Sequence, residues 1–334
     1  MKNRSLILIS SLLLSGVKVF AYDLSCSQLW TDRVHSKAQI GVPPKHLPRM
    51  HLNAEVPSKN SVIVLTHGTF ESPYFVKGVG QALANEGYLV LSLLLPGHWE
   101  KNTKALGSVK YTDWVNEVNV NIQIAHCFSE KIILAGHSLG GLLSVNAALN
   151  QPELISGLIL WSPALGLGVL PDIGASTALF GWNGNMFKYG EPDHNEVPFY
   201  TPNAPIQINA LIREIAAKFG HIKPAGVYAP YDLESNQDQY PPHTLSARGI
   251  YKKIKAPLLL IYAEIDPIVS VSEMKQLYRQ TSGQKTQLPF SILSGVTHRD
   301  IVKSKNDTYA NEPHGYNPRF DEMVQKIILF LSHL

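Results

Sequence analysis

Runs of consecutive apolar residues, separated by segments with helical periodicity, constrain the fold of this chain most strongly. A strand that is apolar along its whole length, rather than at every second residue, is typical of a parallel sheet buried on both faces. Parallel strands need long crossover connections, which helices usually supply. The sequence therefore predicts an α/β fold with a mostly parallel central sheet flanked by helices. The predicted strands are residues 61–66, 88–95, 131–135, 154–161, 257–262 and 289–293.

Segments with helical character fill the intervals between these strands. The clearest is residues 111–128, in which Val115, Val118, Ile122 and Ala125 recur at helical spacing and share one face. We therefore expect an amphipathic helix there that packs against the sheet. The other predicted helices are residues 73–86, 138–151, 271–280 and 317–334.

The alternation stops at residue 162 and resumes near residue 251. The intervening residues are rich in Pro, Gly and Tyr and carry one amphipathic helix, predicted at 208–219. The sequence thus predicts one core, formed by residues 22–161 and 251–334, with a cap or lid inserted at 162–250. Apolar residues of the insertion are expected either to pack within the cap or to line an acyl pocket. They are Leu165, Leu167, Val169, Leu170, Phe180, Trp182, Met186, Phe187 and Phe199.

The first 21 residues have the pattern of a secretory signal peptide. Lys2 and Arg4 form a basic start, residues 6–14 form a short apolar run, and Ala21 ends a segment suited to cleavage. An uncleaved N-terminal anchor is the alternative, although the apolar run is short for a membrane-spanning helix. We expect an exported protein, periplasmic or secreted, with no stable transmembrane segment in its mature chain. Lipidation is disfavoured because Asp23 occupies a position that requires an aliphatic residue.

Charge and cysteine content narrow the function classes further. Without the three basic residues of the signal segment, 26 of the 29 basic residues remain, which equals the 26 acidic residues. A neutral mature chain without a basic run gives no electrostatic basis for binding nucleic acid.

Cys26 and Cys127 are the two cysteines, and export to an oxidising compartment favours a disulfide between them over two free thiols. Residues 22–60 contain four prolines and are expected to add edge strands or to follow the surface.

The pentapeptide GHSLG at residues 136–140 lies between a predicted strand and a predicted helix. It fits the pattern G-x-S-x-G, in which the glycines permit a sharp turn that exposes the central serine at the end of the sheet. The turn also places backbone N–H groups at a helix N-terminus, where they can face an oxyanion. Ser138 is therefore the predicted nucleophile of a serine hydrolase.

Several further motifs, in the right order along the chain, resemble those of the α/β-hydrolase superfamily. The resemblance is greatest to its serine esterase, monoacylglycerol lipase, lysophospholipase and serine aminopeptidase-type branch. It implies the α/β-hydrolase fold with an inserted cap, and it spans about residues 60–300 without the insertion. The motifs are HGT at 67–69, LPGH at 95–98 with Leu94 where an acid is common, GHSLGG at 136–141, EIDPIV at 264–269 and GVTH at 295–298.

The resemblance assigns roles to residues outside the pentapeptide. It implies that His298 is the general base, in preference to His314 and His333, and that Asp266 is the acid of a Ser-His-Asp triad. Glu264 and Asp300 are the alternatives to Asp266. The backbone N–H groups of Leu139 and Thr69 would form the oxyanion hole, with Phe70 as the alternative to Thr69.

These residues together predict a hydrolase of carboxylic esters or lipids that works through an acyl-enzyme, with no cofactor and no metal. A serine aminopeptidase or amidase, or an acyltransferase, is the alternative on the same triad. A non-catalytic binding protein with this fold belongs to a different class, and the complete triad argues against it. A haloalkane dehalogenase is disfavoured because residue 138 is Ser rather than Asp.

Overall fold

The computed structural model describes residues 24–100, 102, 104–168, 187–188, 199–220, 245–305 and 315–334. The predicted signal peptide, His314 and much of the predicted insertion lie outside these residues. Of the insertion's apolar residues, Leu165 and Leu167 are described in full, whereas Phe187 and Phe199 are described by their backbone only.

A seven-stranded sheet forms the centre of the described structure, as the apolar runs predict. Its strands lie in the order β1-β3-β2-β4-β5-β8-β9, and all neighbours are parallel except β1 and β3. Strands β2, β3, β4 and β8 are buried at every residue, which explains why most of their residues are apolar. The bounds are β1 Arg49–His51, β2 Val62–Thr66, β3 Leu89–Leu93, β4 Ile132–His137, β5 Ile155–Trp161, β8 Leu258–Ala263 and β9 Lys285–Phe290, and a separate antiparallel pair is formed by β6 Phe187–Lys188 and β7 Phe199–Tyr200.

Helices cover both faces of the sheet, and each face has its own apolar cluster. On one face α3, α4 and α6 pack against the sheet and α5 packs on α3 and α4, whereas on the other face α2 and α7 pack against the sheet. The bounds are α1 Leu24–Gln39, α2 Lys77–Asn85, α3 Tyr111–Phe128, α4 Leu139–Asn150, α5 Asn203–Phe219, α6 Val271–Gln280 and α7 Phe320–Leu331. None of these helices is both long enough and apolar enough to cross a lipid bilayer.

The predicted and observed elements differ where a strand is not enclosed on both sides. Strand β9 begins at Lys285, whereas the apolar run predicts a start at residue 289. The strand lies at the edge of the sheet, and its half-buried residues Thr286 and Gln287 are polar, so its first half does not form an apolar run. Residues 22–60 contain one edge strand, β1, as one of the expected possibilities, but they also contain the helix α1, which the sequence analysis did not predict.

A disulfide and two ion pairs attach helix α1 to helix α3. The predicted disulfide between Cys26 and Cys127 is present, with a Cα–Cα distance of 5.6 Å. Lys37 donates to the buried carboxylate of Glu117 over 2.8 Å, and Arg33 forms a second ion pair with the same carboxylate. We call these five residues the α1–α3 brace.

The part of the insertion that the structure describes includes a helix that rests on the core. Helix α5 packs against α3 and α4. The side-chain amide of Asn203 at its start donates to the carbonyl groups of Leu106 and Val109, over 3.0 and 2.8 Å. Strands β5 and β8, on either side of the insertion, are direct neighbours in the sheet.

Candidate active site

Ser138 occupies the sharp turn between strand β4 and helix α4. Its backbone has φ 52° and ψ −113°, a positive-φ conformation that non-glycine residues rarely adopt and that costs about 1–3 kcal/mol. A side chain at Gly136 would overlap the backbone of Gly140, and one at Gly140 would overlap the carbonyl of Thr66. Glycine at these two positions therefore lets the strand and the helix approach closely enough to form the turn.

Hydrogen bonds hold this strained turn in place. The backbone N–H of Ser138 donates to the carbonyl of Trp161 over 2.9 Å, in the neighbouring strand β5. Its carbonyl accepts from Gly141 over 3.0 Å and from Ala164 over 2.9 Å. This turn, residues 136–140, is called the elbow below. Its hydrogen bonds to the sheet, to α4 and to the segment that follows β5 explain how Ser138 maintains an unfavourable φ angle.

Asp266 and His298 lie together, as the sequence analysis expects. The Nδ1 atom of His298 lies 2.7 Å from Asp266 Oδ2, and the Asp266 side chain is fully buried. Asp266 Oδ1 also accepts from the N–H groups of Ile268 and Val269, over 3.0 and 3.1 Å. Burial raises the pKa of Asp266, but the hydrogen bond and charge of His298 and these two N–H groups outweigh it and lower the pKa. An ionised carboxylate is therefore available to orient the imidazole.

The alternatives to this pair have other surroundings. Glu264 is exposed, and Asp300 accepts a hydrogen bond from the hydroxyl of Thr297 over 2.6 Å. His333 is exposed near the C-terminal end of α7 and bonds to the carbonyl of Leu329 over 2.6 Å. The part of the chain that the structure describes contains no hydrogen bond between the Ser138 hydroxyl and the His298 ring.

The two predicted oxyanion donors, Leu139 and Thr69, lie at the start of helix α4 and in the loop after strand β2. Leu139 is the first residue of α4, and the first N–H groups of a helix have no partner within the helix. Thr69 follows strand β2, and the next residue, Phe70, has a positive φ of 66°. The hydroxyl of Thr69 is buried and has no hydrogen-bond partner among the described residues. The chain thus turns sharply at Thr69 and Phe70, beyond the end of β2.

Comparisons with known proteins agree with this architecture. A family model described as "Serine aminopeptidase, S33" matches residues 57–203. Phospholipase YtpA of Bacillus subtilis is 34% identical over 111 residues, which make up 33% of this chain and 42% of the relative. The match thus spans about two fifths of the length of that curated relative.

Solved structures resemble the chain over most of its length. A monoacylglycerol lipase of Paleococcus ferrophilus has a TM-score of 0.55 at 18% identity, covering 86% of this chain and 98% of that chain. A soluble variant of monoglyceride lipase from Saccharomyces cerevisiae has a TM-score of 0.57 at 13% identity, covering 85% and 91%. The chain thus shares the α/β-hydrolase fold with these structures, and the family model and the curated relative that match part of it are those of hydrolases.

Two buried residues, Glu71 and His137, connect the turn at Ser138 to the loops around it. The Nδ1 atom of His137 lies 3.0 Å from the carboxylate of Glu71, and its Nε2 atom lies 2.8 Å from the backbone carbonyl of His298. Burial lowers the pKa of His137, but the charge and hydrogen bond of Glu71 outweigh it, so that the pKa is raised. The sequence analysis did not single out Glu71, because nothing near it in sequence indicates a partner 66 residues away.

Two further buried histidines near this turn, His67 and His98, have lowered pKa values. His67 accepts from the N–H of Leu95 over 3.1 Å, and its Nδ1 atom lies 2.7 Å from the carbonyl of Gly68. Burial lowers the pKa of His67 well below its usual range and that of His98 to about 4. Among the described residues, no group of three or more His, Cys, Asp or Glu side chains is arranged to hold a metal ion.

Proposed function

We propose that this α/β-hydrolase cleaves carboxylic esters of lipids or small molecules through a Ser-His-Asp triad made of Ser138, His298 and Asp266. The observation that carries the proposal is the 2.7 Å contact between His298 and a fully buried Asp266. An imidazole held in this way keeps its Nε2 atom free to accept a proton. The strained elbow at Ser138 supplies the corresponding hydroxyl.

The proposed reaction proceeds in two halves. His298 removes the hydroxyl proton of Ser138 as its oxygen attacks the ester carbonyl, and the N–H groups of Leu139 and Thr69 stabilise the resulting oxyanion. His298 then gives the proton to the leaving alcohol, which leaves an acyl group on Ser138. Water, deprotonated by the same histidine, attacks this acyl-enzyme and releases the acid. Asp266 stabilises the imidazolium in both halves.

The nature of the substrate is the least constrained part of the proposal. The proteins to which the chain is similar include one named a phospholipase, one named a monoacylglycerol lipase and one named a monoglyceride lipase. By analogy we propose an acyl-ester substrate, with residues 162–250 acting as the cap that selects the acyl chain. The described helix α5, which rests on α3 and α4, would form one wall of that cap.

A series of p-nitrophenyl esters with acyl chains of different lengths tests the proposal on the wild type and on Ser138→Ala. We expect Ser138→Ala to lower kcat by about 10⁴-fold or more and to abolish labelling by a fluorophosphonate probe. Equal turnover by the two proteins would contradict the proposal. Matched amide substrates and an added acceptor alcohol show whether the enzyme prefers peptide bonds or acyl transfer, and a folded wild type that is not labelled would indicate a binding protein.

We also propose that the protein is exported and loses residues 1–21. The Cys26–Cys127 disulfide supports this proposal, because such bonds persist in oxidising compartments. The mass of the protein recovered from its own host tests the proposal, since cleavage after Ala21 would make Tyr22 the first residue.

A further inference from the structure

We propose that Glu71 and His137 are positioning residues that act as one ion pair and hold the oxyanion loop and the His298 loop on either side of Ser138. The inference rests on the proposed function for the catalytic meaning of those loops. Its structural part, the coupling of three segments far apart in sequence, rests on the contacts of the described residues alone.

The first step concerns the charge of the pair. The two ring nitrogens of His137 contact a carboxylate and a backbone carbonyl, over 3.0 and 2.8 Å. Both partners are acceptors when Glu71 is ionised, and only an imidazolium can donate from both of its nitrogens. The Glu71 carboxylate also accepts from the N–H of Gly68 over 2.6 Å. Both side chains are buried, so that water cannot replace either contact.

The second step concerns the direction of the Thr69 N–H. The carbonyl of Gly68 is contacted by His67 Nδ1 over 2.7 Å and by the N–H of Glu71 over 3.3 Å. In a trans peptide the C=O of one residue and the N–H of the next point in opposite directions. The contacts that fix the Gly68 carbonyl therefore also fix the Thr69 N–H, which points away from them. Glu71 thus contacts both backbone polar groups of Gly68. Its carboxylate accepts from the Gly68 N–H and its own N–H donates to the Gly68 carbonyl, so it helps to set the direction of the Thr69 N–H.

The third step concerns the proposed base. His137 Nε2 fixes the backbone carbonyl of His298, while Asp266 fixes the His298 ring over 2.7 Å. The histidine is therefore held at its backbone and at its ring by different partners. Because His137 directly precedes Ser138, the same imidazolium connects the His298 loop to the elbow itself.

Loss of the pair should therefore displace the catalytic groups without removing any of them. We expect Glu71→Gln and His137→Asn each to lower kcat on an ester by about 10²-fold, the effect of a displacement near 1 Å, with KM within about threefold of wild type. Residues that act as a unit have non-additive effects. The double variant should therefore be within about threefold of the more damaged single variant.

Matched controls separate positioning from general loss of stability. Glu117 is a buried carboxylate with ionic partners, and His51 is a buried histidine that bonds to the hydroxyl of Ser92 over 3.1 Å. Glu117→Gln and His51→Asn should lower the melting temperature but leave kcat within about threefold of wild type. Equal losses of kcat in these controls, or multiplicative losses in the double variant, would overturn the inference.

Amide hydrogen exchange provides a readout that does not require turnover. Glu71→Gln and His137→Asn should each increase deuterium uptake in peptides covering residues 66–72 and 294–300, while Glu117→Gln should not. Unchanged uptake in both peptides would refute the coupling even in an active enzyme. A wild type that neither hydrolyses esters nor reacts with a fluorophosphonate would instead refute the proposed function, and the exchange data would still decide the coupling.

Discussion

Two buried glutamates, Glu71 beside the elbow and Glu117 in the α1–α3 brace, use the same chemistry for different purposes. Each is at most 5% exposed and each binds a cationic side chain over about 3 Å. Glu117 binds Arg33 and Lys37, which belong to one surface helix, so that it fastens one element to another. Glu71 binds a histidine of the elbow and the backbone of Gly68. The comparison shows that burial of an ion pair does not by itself indicate a functional role. Such a role is indicated by the loops to which the pair is hydrogen-bonded.

The largest expected effect is on the activity, and it follows from a change at Asp266 in the candidate active site. Asp266→Asn should lower kcat by about 10⁴-fold, because the amide no longer orients and stabilises the imidazolium of His298. Its exposed neighbour Glu264 provides the control, and Glu264→Gln should behave as wild type. Steady-state kinetics on a short-chain ester measure both effects. A Glu264→Gln variant that loses as much activity as Asp266→Asn would show that the wrong carboxylate has been assigned.

On the brace side, the disulfide should contribute stability and little else. The bond closes a loop of 101 residues, for which the chain-entropy model gives about 4–5 kcal/mol. We expect the Cys26→Ser, Cys127→Ser double variant to lose free energy of unfolding in urea titrations, while kcat stays within about threefold of wild type for the folded protein. A folded variant with a much lower kcat would show that α1 also shapes the active site.

Removal of the Glu117 carboxylate should have the next largest effect. Glu117→Ala leaves Lys37, which is 6% exposed, without its carboxylate, and loss of one partner of a buried pair costs about 3–5 kcal/mol. Replacing Glu117 and Lys37 together, with Glu117→Leu and Lys37→Met, should cost much less, because the cation that remains, Arg33, keeps 27% of its side chain exposed to water. Urea unfolding of the two variants measures the difference. Equal losses would indicate that packing rather than charge holds α1 in place.

The sequence predicted those parts of the molecule whose causes are local or repeat along the chain. Strands β2, β4 and β8 are mostly apolar because they are enclosed on both faces, so their sequence indicates that they lie inside the sheet. The elbow was recognisable because Gly136 and Gly140 are required by contacts within a few residues and with the adjoining strand. Asp266 and His298 were assigned by family resemblance, and the structure brings them together.

The remainder depends on contacts between distant segments, which no local pattern encodes. Helix α1 has two buried apolar residues, Cys26 and Trp30, and its attachment depends on a disulfide and an ion pair to α3. The position of Glu71 resembles that of an ordinary loop carboxylate. Its contact with His137 exists only because β2 and β4 are neighbours in the sheet, a pairing that the sequence analysis did not specify.

The smallest expected effect separates the two glutamates by pH. The folded pKa of His137 is raised, because Glu71 outweighs burial. A raised pKa contributes stability that is fully present below the unfolded value near 6.5 and is lost as the pH rises through the folded value. The advantage of the wild type over His137→Asn in free energy of unfolding should therefore decrease as the pH rises above 6.5.

The brace supplies the contrasting case, because its ion pairs join a glutamate to a lysine and an arginine and contain no histidine. The difference between the wild type and Glu117→Gln should therefore stay constant between pH 6 and pH 9, and urea unfolding at three pH values in that range measures both differences. The groups around His137 are Glu71, the His298 carbonyl and ring, Asp266, the ring of Phe75 and the ring of His67. If the His137→Asn difference is also constant, the proton between His137 and Glu71 does not leave in this range. The pair would then not lose its charge between pH 6 and pH 9, and the two buried glutamates would differ only in the loops that they hold.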